Sequence, residues 1–187
     1  ALFSLFLYLS SFGPGYFFIF IPAAFYFYFF PPLNTRRFFS FFAVLISVAA
    51  LSLNVFVQFA WALAILWGIC FYLFIGVKNY FFIKREPLFY FLSGILAFFT
   101  FIIFFNSNKS GIFPFEYVFS GLAIFIIFRQ FLKFIFKEKE TETFAPKHVN
   151  LISASFSLLI IEAIWAISLL PIGFLNSSAL SLLTVLI

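Results

Sequence analysis

Apolar residues run along this chain in long blocks, with neither the alternation of a half-buried strand nor the single stripe of a surface helix. No charged residue occurs from Phe38 to Val77. As one helix rising 1.5 Å per residue, that block would be about 60 Å long, twice the hydrocarbon thickness of about 30 Å. It has to fold back on itself, and its only polar break near the middle is Asn54 with Gln58. The pattern therefore predicts a tight turn there, between a span over 38–53 and another over 59–77. Further spans follow over 88–105, 115–133 and 149–170, with a partial one over 178–187. They are separated by the polar run Asn106 to Gly111, a charged loop over 134–148, and Pro171 with Gly173. The first thirty residues divide at Gly13-Pro14-Gly15 into runs over 2–12 and 16–30, the second with Pro22 inside it. This reads either as a turn between two spans or as a break within one.

Strands of a membrane barrel would alternate apolar and polar side chains, whereas Phe98 to Phe105 is apolar at both parities. The expected fold is all-α, a polytopic transmembrane helical bundle of about six to eight spans. The chain opens at Ala1 without a methionine, is apolar from Leu2, and is still apolar at Ile187. Both ends read as those of an internal piece of a longer membrane protein. A single transmembrane domain over 1–187 is the domain expectation.

Composition excludes the soluble alternative. Only 9% of the 187 residues are charged, against roughly 25% in a soluble domain. The single cysteine, Cys70, forms no intrachain disulfide, and the single histidine, His148, assembles no His/Cys metal site. We therefore expect neither a metal nor a cofactor. The 38 phenylalanines read as mutational bias of an AT-rich genome. The net charge of +5 does not point to nucleic acid, because the 11 basic residues are scattered through short loops.

That scatter is ordered in another way. Arg36 and Arg37 share one loop, Lys78, Lys84 and Arg85 the loop two spans later, and Arg129 to Lys147 the loop two spans after that. The intervening connections hold one basic residue, Lys109. By the positive-inside rule, the loops near Arg36, Lys84 and Lys139 face the cytoplasm, and the expected location is the cytoplasmic (inner) membrane.

Helices in lipid associate through small residues and sparse polar contacts. Ala43, Ser47 and Ala50 fall at helical spacing on one span, and Ala60, Ala64 and Gly68 on the next. The expectation is that these two faces meet across the tight turn. Trp67, in mid-span, is expected to pack in the core.

Glu162 is the one ionisable side chain well inside a span. A carboxylate at that depth must be neutralised, paired or turned to water, since a charge near the bilayer centre costs ~3 kcal/mol on the insertion scale. Ser155 and Trp165 share its helical face, which is expected to turn into the bundle. One reading is a proton relay or substrate ligand, and the other is a hydrogen bond that joins helices. The remaining polar positions have plainer roles. Glu116 complements a helix dipole, Arg129 and Lys133 snorkel to headgroups, and Lys137 to Glu142 alternates in sign as a solvated linker does. His148 stands at an interface. GxxxxGK[ST], HExxH, GxSxG and DxxxD are all absent, and Asp does not occur.

The sequence thus describes a multi-pass membrane protein and leaves its molecular function open. Several spans with minimal loops and one buried carboxyl lean towards transport of a small or lipid-linked solute. The alternatives are a non-catalytic assembly or anchoring subunit and an enzyme acting on a lipid-linked substrate. With no paired polar residues at one face, the balance is against an enzyme. The expected partners are the lipid bilayer and other membrane subunits.

Overall fold

The computed structural model describes residues 2–10, 14–30, 35–79, 81, 85–107, 113–138, 146–169 and 174–186. They form α1 (Leu2–Ser10), α2 (Pro14–Phe29), α3 (Thr35–Val55), a 3-10 turn (Val57–Phe59), α4 (Ala60–Lys78), α5 (Arg85–Ser107), α6 (Phe113–Glu138), α7 (Pro146–Ser168) and α8 (Phe174–Leu186). No strand occurs among the described residues. Lys84, Lys109 and Lys139, on which part of the orientation argument rests, lie outside them, as do Gly13 and Pro171.

Among the described residues, five helices are long and apolar enough to cross a membrane, over Thr35–Val55, Val57–Lys78, Arg85–Asn106, Val118–Ile135 and His148–Ser168. The protein is an all-α helical membrane bundle. α1, α2 and α8 have 9, 16 and 13 residues, short of the roughly 20 that a crossing requires. α2 continues through Pro22 without a break. The hydroxyls inside the helices bond back to their own backbone, as Ser52 does to Ala49, Thr100 to Leu96, Ser153 to Val149 and Ser181 to Ser177. That is the local solution for a polar side chain with no water to bond.

The contacts fall into two compact units, Ala1–Leu92 and Ser93–Ile187. In the first, α1 and α2 pack on each other, with the Phe3 and Phe20 rings 5.5 Å apart. α3 and α4 form an antiparallel hairpin. Its core is aromatic: Tyr28 stacks on Phe42 at 4.0 Å, Phe41 meets Phe74 at 5.4 Å and Phe89 at 5.0 Å, and Phe3 stacks on Phe71 at 4.0 Å. The phenylalanine excess, read from composition as mutational bias, supplies much of this core. Aromatic pairs add about 0.5–1.5 kcal/mol each beyond area burial.

In the second unit, α6 and α7 run antiparallel. Gly121 admits the approach, since a Cβ there would lie 2.5 Å from Ile161 Cδ1. The Phe128 and Phe156 rings stack at 4.0 Å, and Arg129 Nε donates to Asn150 Oδ1 at 2.7 Å. Ala97, Phe101, Phe104, Ile124, Ile160 and Ile164 fill the core.

Candidate functional site

On α7 the buried positions are Val149, Ser153, Ser157, Ile160, Ile164 and Ile167, which recur every three or four residues on the side that meets its neighbours. Glu162 is exposed on the opposite side, together with Ser155 and Trp165. The expectation that this face turns into the bundle is corrected here. The serines that do turn in are Ser153 and Ser157, because burying Ile160, Ile164 and Ile167 on one helix side necessarily carries residues 155, 162 and 165 to the other. What the outward face contains is regular. Leu151, Ser155, Leu158, Glu162, Trp165 and Leu169 are all exposed, and they follow one another at steps of four, three, four, three and four. These are the steps of residues on one side of a helix, and Ile152, Leu159 and Ala166 beside them are exposed as well, so the outward face is broad and apolar with Glu162 on it.

The small-residue faces also differ from expectation. Ala43 and Ser47 are exposed, and Ala50 lies at the edge of the buried side. α3 meets α4 through the Phe41 ring on Phe74 and the Ser52 hydroxyl on Trp67, on the side of α3 where Leu45 and Val48 are also buried. Ala60 and Ala64 are buried, whereas Gly68 admits α1: a Cβ there would overlap Ser4 Oγ and lie 3.1 Å from Ser4 Cβ. Trp67 is fully buried, and its Nε1 donates to Ser52 Oγ at 2.7 Å.

One cluster was not anticipated. Lys78, read from sequence as a loop residue, is the last residue of α4 and is 0% exposed. Its ammonium donates to the Tyr28 carbonyl and lies 4.5 Å from the centroid of the Tyr28 ring. The Tyr28 hydroxyl in turn donates to the Thr35 carbonyl. The available signal was the uncharged run to Val77, which leaves Lys78 on the final helical turn instead of beyond it. Asn79 follows at 5% exposure, and neither its Nδ2 nor its Oδ1 has a hydrogen-bond partner among the described residues.

Among the described residues, no group of His, Cys, Asp and Glu is placed to hold a metal ion. No protein-family model, curated protein or solved structure matches the chain.

Proposed function

We propose that this multi-pass membrane protein acts as an assembly or anchoring subunit, with the outward face of α7 receiving a transmembrane helix of a partner. The observation that carries this reading is the exposure of Glu162 in the middle of a broad apolar face of α7. A face made only for lipid has no use for a carboxyl at that depth, whereas a partner helix offering a hydrogen-bond donor or acceptor compensates it. A transport site needs the carboxyl directed towards other helices and water, so the outward position of Glu162 favours assembly over transport. The alternating basic loops support placement in a cytoplasmic membrane with those loops in the cytoplasm.

Photo-crosslinking amino acids at Leu158 and Leu169, with Tyr72 on α4 as an exposed control, test the proposal in intact membranes. A protein adduct from positions 158 and 169, and lipid adducts alone from 72, are expected. Glu162→Leu should abolish the protein adduct and Glu162→Gln should retain it, since the amide still hydrogen-bonds. Lipid adducts alone at 158 and 169, or a protein adduct unchanged in Glu162→Leu, would overturn it.

A further inference from the structure

Along the axis of α7, Glu162 stands four residues past Leu158, the middle of the span His148–Ser168, which is about 6 Å at the rise of a helix. Around the helix it is equally central. The exposed positions from Leu151 to Leu169 form one arc, and Glu162 and Ser155 occupy its middle, with Leu158 and Trp165 on one flank and Leu159 and Ala166 on the other. Between Leu151 and Leu169 the chain carries no basic residue and no other acidic one. Whatever covers the arc has to answer a single carboxyl set in an otherwise uncharged surface.

A protonated carboxyl is its own complement. Its O–H donates and its carbonyl oxygen accepts, so two of them satisfy each other without any other residue. Membrane insertion brings such a pair to one level. Copies of one chain obey the same charge rule and insert in the same orientation, so a two-fold axis between them runs along the bilayer normal. Each residue then meets its own counterpart at equal depth. Resting on the docking role proposed above for this face, we infer that its occupant is α7 of a second copy of the chain, with the two Glu162 carboxyls hydrogen-bonded to each other at the axis. Ser155 and Ala166 are small enough to let the two helices approach, and the leucines and Trp165 meet apolar counterparts. A helix of another sequence has to bring its own donor to this depth, whereas a second copy needs nothing that α7 lacks.

The test uses full chains with two different affinity tags, coexpressed in one membrane in a Cys70→Ala background. Oxidation of Ser155→Cys and of Ala166→Cys should each give a disulfide-linked dimer that holds both tags, whereas Tyr72→Cys, on the exposed side of α4, should give none. With Ser155→Cys as reporter, Glu162→Gln should keep the dimer, because two amides also pair reciprocally. Glu162→Lys in both copies should lose it, and Glu162→Lys in one copy beside an unaltered Glu162 in the other should recover a mixed dimer through opposite charges. If the lysine variant does not insert, Glu162→Leu, which suits lipid, should lose the dimer in its place. No two-tag product at 155 and 166, an equal yield at 72, or a dimer that persists in Glu162→Leu would overturn the pairing of copies. A photo-crosslinked adduct at 158 or 169 that contains a different protein would overturn the second copy and leave the docking face standing. Lipid adducts alone at those positions would remove both.

Discussion

A buried indole N–H has few choices in an apolar interior, and Trp67 takes the one offered by Ser52. The Ser52 hydroxyl donates to Ala49 while accepting from Trp67, so both of its functions are used. Ser52→Ala leaves the indole unpaired and should destabilise the first unit by about 1–3 kcal/mol. Trp67→Phe loses the bond together with packing volume. Adding Ser52→Ala to Trp67→Phe should cost less than Ser52→Ala alone, with a coupling energy near the ~0.6 kcal/mol average for hydrogen bonds between membrane helices and no more than about 1.7 kcal/mol. A double-mutant cycle on detergent unfolding measures it. The mid-span tryptophan was legible in the sequence as a core residue, but its partner was not. Nothing along the chain distinguishes Ser52 from Ser47 until the helices are set side by side.

Between elements, the same small residues have different consequences according to the side they occupy. Gly68→Leu should destabilise the first unit by about 1–3 kcal/mol, since the new side chain is driven into Ser4 of α1. Ser47→Leu, on the exposed side of α3, should change stability by less than about 0.5 kcal/mol. Gly121→Leu should resemble Gly68→Leu in the second unit, whereas Gly121→Ala should cost less because the clashing atom is the free end of the Ile161 side chain. Unfolding of the purified variants in mixed micelles checks all four. Helix positions were legible because charge and turn residues interrupt the apolar blocks. The packing faces were not, since blocks apolar all round carry little moment to mark an inner side.

At the scale of the molecule, the antiparallel α3 and α4 bring Arg36, Arg37 and Lys78 to the same end of the first unit. Positive-inside orientation sets the expected labelling pattern. In a Cys70→Ala background, Arg36→Cys should be protected from an impermeant thiol reagent in intact cells, and Lys109→Cys should react. The reverse pattern would invert the topology. Lysing the cells should make position 36 reactive, which checks that protection comes from the membrane.

The sequence by itself determined the solvent and the secondary structure. With so few charges, only lipid accommodates these blocks, and in lipid the backbone must satisfy itself within each helix. It also singled out Glu162, because an ionisable group in an apolar run stands out whatever surrounds it. Tertiary structure decided the direction in which each group points. Ile160, Ile164 and Ile167 draw one side of α7 inward and leave Glu162 outside, although by composition Ser155 and Trp165 mark an equally plausible inner face. Tertiary structure also buried Lys78 and Asn79, where the linear pattern shows only the end of a span. Depth along a helix is a property of the chain order, but burial around a helix depends on which neighbours arrive, and those neighbours come from residues as far away as Tyr28 is from Lys78.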